Sequence, residues 1–230
     1  MTAADGALAS GEQISGPLLP DYYNFMAHRH FLVHKPYGYL SQFVSQASGE
    51  AKKKKLGELY PFPHGIMAIG RLDEDSEGLL LLTTDGQVSE VVRGQHIEKE
   101  YYAQVDGLID DVAVAQLQAG VEIGIHDVRY HTSPCAAFRL ETVPAFAPRS
   151  RKIRDDRHGP TSWVSITLSE GKFRQVRKMT AAVGFPTLRL VRVRIGAIRL
   201  GELPSGAVQE VTSFELCLEA ARDSDLQSST

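Results

Sequence analysis

Four consecutive leucines, Leu79 to Leu82, stand between an acidic run and a Thr-Thr-Asp-Gly turn. A short apolar run without alternation, closed off by turn residues, has no polar face to offer water. Gly78 to Thr83 therefore reads as a fully buried strand. The segment leading into it carries Asp73, Glu74, Asp75 and Glu77. That junction sets a carboxylate at the mouth of a buried strand, with Arg71 two residues from Asp73 to hold it ionised. An opposite charge favours the charged form of a carboxylate, and a nucleophile must be charged. The same residues also read as a solvated turn ahead of a core strand, and composition alone does not separate the two.

The rest of the chain supplies more strand than helix. His30 to Val33 opens a strand that ends at Lys35–Pro36, because proline halts a ladder. Ile66 to Ile69 is apolar and leads into the acidic loop. Asp85 caps a helix that runs to about Val92 and stops at Gly94, and Asp110 to Gln118 forms another that stops at Gly120. Tyr101 to Val105 reads as strand, and Val121 to Leu140 as more strand, alternating around His126 to Tyr130. Val143 to Pro160 holds three prolines and five basic residues with little to bury, and reads as a loop, mobile until a partner orders it. Trp163 to Leu168 alternates as a half-buried strand. Lys172 to Val183 has Phe173, Val176, Ala182 and Val183 on one helical face, ended by Gly184 and Pro186. Leu188 to Ile198 alternates aliphatic residues with arginine, an arginine ladder on one strand face. Strands that are not regularly interleaved with helices point to an α+β fold with a largely antiparallel sheet.

Residues 1–28 and 216–230 read as tails around a unit at 29–215, which the fold could build as two subdomains sharing one sheet. Cys135 and Cys217 suit a reducing cytoplasm, where they would be buried, and neither a transmembrane run nor a secretory leader is evident. His28, His30 and His34 have no second cluster to complete a metal site. Net charge is only −3, but it is unevenly spread. Residues 149–199 contain 13 Lys/Arg against 3 acids, a net of +10, and the remainder carries −13. Such segregation favours a polyanion-binding surface. The lysines at 52–55 read equally as solvated residues or as phosphate contacts.

Gly70 to Asp73 (GRLD) followed by Ser76 to Gly86 (SEGLLLLTTDG) resembles the signature loop of RNA pseudouridine synthases, in the branch that modifies ribosomal RNA. Three more segments agree, in order. His34 to Gly38 (HKPYG) is similar to the opening KP-x-G turn, Lys99 to Tyr101 to the K-x-Y strand, and Glu170 to Met179 (EGKFRQVRKM) to the EG-x-x-x-QVRRM helix. Pro160 to Trp163 and Gly184 to Leu190 resemble a short subtype without an S4-type domain, whose substrate is a uridine of 23S rRNA. The resemblance implies a mixed central sheet with a catalytic cleft across it, an rRNA substrate and a cofactor-free isomerisation. It implies Asp73 as the catalytic carboxylate, Arg177 as its ionic partner and Tyr101 as the ring that stacks on uracil or moves its proton. Tyr102 is the rival of Tyr101 and points to the opposite strand face.

RNA contacts are expected from Lys35, Arg71, Lys99, Arg149, Arg151, Lys152, Arg154, Arg157, Lys172, Arg174 and Lys178, and from the arginine ladder. Arg174 and Lys178 read equally as helix-surface residues. A noncatalytic RNA-binding protein would explain the basic segment but not the joint occurrence of GRLD, Tyr101 and Arg177. A carboxylate-pair hydrolase would use Asp73 with Asp75 or Glu77. A monomer is the expected state, since no heptad or broad apolar stripe stands out.

Overall fold

The computed structural model describes residues 28–44, 53–94, 97–153 and 156–214, with no account of the Asp156 side chain. The segments read as tails, apart from His28, lie outside the described residues, as do Lys52, Arg154 and Cys217. Among the described residues, no helix is long and apolar enough to cross a membrane.

In chain order the strands are β1 (His30–Lys35), β2 (Tyr39–Leu40), β3 (Lys54–Lys55), β4 (Met67–Ile69), β5 (Glu77–Thr83), β6 (Lys99–Asp106), β7 (Glu122–Ile125), β8 (Val128–His131), β9 (Ala136–Arg139), β10 (Thr161–Leu168), β11 (Thr187–Ile195), β12 (Ile198–Arg199) and β13 (Val208–Val211). The helices are α1 (Gly86–Arg93), α2 (Asp111–Ala119) and α3 (Gln175–Ala182). One sheet runs β13-β1-β5-β11-β6-β10-β9, with β4 on β5 and β12 on β11. Its pairs are antiparallel except β5 with β11, so the α+β, mixed and largely antiparallel sheet matches the sequence reading.

The leucine run sits at the middle of this sheet. Every residue of β5 is buried, with Leu79 and Leu81 packed on one core cluster and Leu80 and Leu82 on another. Burying a leucine contributes about 1.5–3 kcal/mol, so this strand anchors both faces. Its first residues cross closest to β11. Gly78 has φ +106°, and a Cβ there would stand 2.3 Å from the Arg192 carbonyl oxygen. Only glycine meets both conditions.

Local signals set the helix ends. The Asp85 carboxylate accepts from Gln87 N and Val88 N at 2.8 and 3.2 Å, and Asp110 accepts from Ala113 N at 2.8 Å. The third helix departs from its expectation. It begins at Gln175, because Arg174 takes a left-handed conformation at φ 53°, ψ 34° that ends the preceding turn. Phe173 therefore lies outside the helix and is exposed, Ala182 is also exposed, and Val176, Met179 and Thr180 form the buried face.

Three further differences have physical causes. The alternation around His126 to Tyr130 is interrupted by a tight hairpin turn, where His126 and Asp127 both have positive φ. β10 is buried on both faces, not half-buried: Val164 and Ile166 enter the helical core, and Phe146 packs 5.8 Å from Trp163. That same Phe146 docks the segment expected to have little to bury, with Tyr102 as its second aromatic neighbour.

Candidate active site

The acidic loop is fixed before any substrate arrives. Ser41 Oγ donates to the Leu72 carbonyl at 2.7 Å and accepts from Leu72 N at 2.9 Å. Gly38 N donates to the Glu74 carbonyl at 2.8 Å, and Ser76 N closes the turn on the Asp73 carbonyl at 3.1 Å. Lys35 is fully buried and directs Nζ at the carbonyls of Pro36 and Glu74, 3.1 and 3.5 Å away. Its expected contact with RNA is thus overturned: this ammonium serves the backbone of the loop. Burial pushes it down to about 7, against the pull of Glu77 and its acidic neighbours.

A cleft of about 960 Å³ opens over the loop and is lined by Asp73, Tyr101, Arg174 and Arg192 among others. It lies where β5, β11 and β6 run side by side and where the turn before α3 comes over the sheet. Tyr101 and Tyr102 alternate as a strand requires: Tyr101 lines the cleft, while Tyr102 packs on Phe146.

The ion pairs differ from the sequence expectation. Arg177 does not pair with Asp73. Its Nη2 donates to the Asp75 carbonyl at 2.7 Å and to Ser76 Oγ at 3.3 Å, and its Nε lies 3.6 Å from Asp75 Oδ2. Arg174, one turn earlier on the same side, grips Asp75 with two hydrogen bonds of 2.9 and 2.8 Å and reaches Asp73 Oδ2 at 3.5 Å. The later helix start explains the exchange, because it leaves Arg174 on a turn that swings over the loop. Burial alone would raise the Asp75 carboxyl, but the Arg174 hydrogen bonds with the charges of Arg177 and Arg174 hold it below its ordinary value. Arg71, expected to hold Asp73, instead donates to Gln42 Oε1 at 3.1 Å.

The other acids are taken up more tightly than Asp73. Glu74 pairs with Lys53 at 2.7 Å. Glu77 is buried under Arg189, which forks onto both its oxygens at 2.9 and 2.7 Å. With Asp75 under two guanidiniums and Glu77 under one, neither is placed as the partner acid of a carboxylate-pair hydrolase.

The arginine ladder is not a phosphate surface. Arg189 and Arg192 are buried; Arg192 Nε donates to the Leu79 carbonyl at 2.7 Å. Arg194 pairs with Glu98 and Glu100, both at 3.0 Å. Bulges in the β11–β6 register, between Thr187/Arg189 and Arg192/Arg194, break the strict alternation the ladder assumed. Sequence reading therefore missed Arg192 as a cleft residue: its guanidinium lies 6.0 Å over the Tyr101 ring, and its Nη2 is a buried donor without a protein acceptor among the described residues.

The remaining basic residues divide between cleft and rim. Lys99 and Lys172 line the cleft, Lys172 with Nζ 4.8 Å over the Tyr130 ring. Lys178 lies 5.0 Å over Phe173. Arg149 stacks 4.5 Å over Tyr37, whose hydroxyl accepts from Arg151 at 3.4 Å; Lys152 and Arg157 are exposed. Arg154 lies outside the described residues. The histidines are engaged separately, His30 with Thr83 Oγ1 and His34 with the Leu203 carbonyl, and no metal-holding cluster occurs among the described residues. Cys135 is only half-buried; its thiol is pushed up to about 11 by desolvation.

Comparison with known proteins gives this geometry a context. A family model described as RNA pseudouridylate synthase matches residues 29–182. The ribosomal large subunit pseudouridine synthase E of Xanthomonas campestris is 44% identical over 177 residues, covering 76% of this chain and 91% of that one. Its namesake in Vibrio parahaemolyticus is 40% identical over 184 residues, covering 78% and 72%. A solved structure described as a pseudouridylate synthase aligns with a TM-score of 0.63 at 26% identity, covering 84% of this chain and 74% of that one. An acid-bearing loop pinned under a cleft, a strand tyrosine beside it and a match spanning these elements lead to one assignment: the chain belongs to the RNA pseudouridylate synthase family.

Proposed function

We propose that this chain converts a uridine of large-subunit (23S) ribosomal RNA to pseudouridine, acting in the cytoplasm as a monomer, with Asp73 as the nucleophilic or charge-stabilising carboxylate. The observation that carries the reading is the pairing of the loop. Glu74, Asp75 and Glu77 each have an ion-pair contact of 2.7 or 2.8 Å, while Asp73 has its own at 3.5 Å and lines the cleft. It is held near a cation without being locked to one, as a reacting carboxylate must be.

In the reaction the bond from C1′ to N1 of uracil breaks, the ring turns, and C1′ bonds to C5. The proton leaves C5 and N1 ends protonated, so nothing is gained or lost. Tyr101 is positioned to stack on the displaced ring or to carry that proton. The Arg192 guanidinium, in the cleft lining over the Tyr101 ring, supplies a donor for a uracil carbonyl, and Arg174 and Arg177 keep the loop charged and in place. The uridine must leave its stack, at a cost of a few kcal/mol, offset by phosphate contacts from exposed residues such as Arg151, Lys152, Arg157 and Lys172.

The test maps pseudouridines by carbodiimide modification and primer extension in rRNA from cells lacking this gene. One primer-extension stop in 23S rRNA is expected to vanish and to return with wild-type protein but not with Asp73→Asn. In vitro that variant loses on the order of a thousandfold or more in rate, with RNA affinity within a few-fold of wild type. An unchanged map rejects the 23S substrate, and an active Asp73→Asn protein rejects the carboxylate.

A further inference from the structure

We propose that Phe173 and His126 form a stacking platform for a nucleobase next to the target uridine, a subsite separate from the pocket of the reacting base. The inference rests on the RNA substrate proposed above and adds where a second nucleotide sits.

Phe173 is the unexplained residue of the site. It is 55% exposed and lines the same cleft as Asp73. Its ring is stacked on His126, with centroids 5.8 Å apart and planes at 21°. Two rare backbone conformations present these rings. Arg174, directly after Phe173, is left-handed, and His126 has φ 46° at the tip of the β7–β8 hairpin. Such conformations persist when the surroundings hold them.

Glu170 provides that hold. Its carboxylate accepts from Tyr130 Oη and Ser133 N on the hairpin side, and from Gln175 Nε2 at the start of α3. One acid thus fastens the hairpin to the turn that carries Phe173. The two rings are brought together by a fixed bridge and not by a shared core, since neither belongs to a buried cluster.

Charge indicates the occupant. Lys178 lies 5.0 Å over the Phe173 ring and Lys172 immediately precedes it in the chain. An exposed aromatic pair flanked by cations, continuous with a cleft over an RNA-modifying site, matches the combination by which single-stranded nucleic acid is held: bases on rings, phosphates on lysines. Stacking of this kind is tolerant of base identity, so the platform sets affinity and register more than sequence.

The experiment compares wild type with Phe173→Leu and Phe173→Tyr. Leucine keeps an apolar side chain without a ring, and tyrosine keeps the ring. Binding of a fluorescein-labelled single-stranded oligouridine is read by anisotropy across a salt series, and KM and kcat are read by tritium release from 5-tritiated 23S rRNA transcript. Phe173→Leu is expected to weaken both Kd and KM roughly tenfold with the salt slope unchanged, and Phe173→Tyr to restore them. Leucine binding within twofold of wild type overturns the platform, as does a tyrosine variant no better than leucine. If wild type leaves the 23S transcript unmodified, the large-subunit reading fails on its own, and the oligouridine constants still decide the platform.

Discussion

β11 and the loop at 149–157 each carry a net charge of +3, the loop after subtracting Asp155 and Asp156, and are opposite in structure. The strand carries Arg189, Arg192 and Arg194, and the loop carries Arg149, Arg151, Lys152, Arg154 and Arg157. On β11 the charges turn inward: Arg189 forks onto Glu77 and also donates to the Ala147 carbonyl at 3.0 Å, Arg192 caps the Leu79 carbonyl, and Arg194 bridges Glu98 and Glu100. In the loop, Arg151 and Lys152 remain exposed, and Arg149 lies flat on Tyr37. A strand between two covered faces must supply an acceptor for every cation it carries, because an unpaired buried charge costs several kcal/mol. A loop leaves that task to water. Positive charge counted along a chain therefore overstates the surface available to RNA.

The largest expected effect falls on the buried side. Arg189→Ala leaves Glu77 uncompensated between β5 and β11 and is expected to lower unfolding stability by about 3–5 kcal/mol in urea titration. Replacing Glu77 and Arg189 together by leucine should recover most of that loss. Arg189→Ala within about 0.5 kcal/mol of wild type would show that the pair does not hold these strands together.

Lys35 extends the same contrast to pH. Its folded value is pushed down to about 7, far below the ordinary lysine value near 10.4. Between these limits the unfolded chain binds the extra proton, so stability rises with pH through this window. Below about 7 both states are charged and the full burial cost, a few kcal/mol, is present. Lys35→Met removes the titration. Its stability relative to wild type is expected to be higher at pH 7 than at pH 10, measured by urea midpoints at both. A difference independent of pH would mean that the ammonium is not desolvated.

The smallest effect belongs to the exposed side. Arg151→Ala should leave unfolding within about 0.5 kcal/mol of wild type. It should reduce the salt slope of RNA binding by about 0.7, one phosphate contact on a single strand. An unchanged slope would place the RNA elsewhere.

Much of the frame was legible in the chain. The Leu79–Leu82 strand, the cap at Asp85 and the stops at Gly94 and Gly120 depend on residues a few positions apart, which any reading of the chain can see. The motifs GRLD, K-x-Y and EG-x-x-x-QVR likewise located Asp73, Tyr101 and Arg177 around one cleft-bearing loop. The partners were not legible. Arg177 settled on Asp75 and its carbonyl, Arg174 took the position facing Asp73, and Lys35 turned to the backbone.

The division follows from range. Turn chemistry, capping and an unbroken apolar run are short-range effects, so the sequence by itself determined the central strand, two of the three helices and the site of the acidic loop. Which cation meets which acid was decided by tertiary structure. Glu77 and Arg189 lie 112 residues apart, and Asp75 and Arg174 lie 99 apart. They meet only because β5 and β11 run parallel at Gly78 and because a left-handed Arg174 delays the third helix by one turn. Ion pairs select by distance in space and by burial, and the order of residues along a chain encodes neither directly.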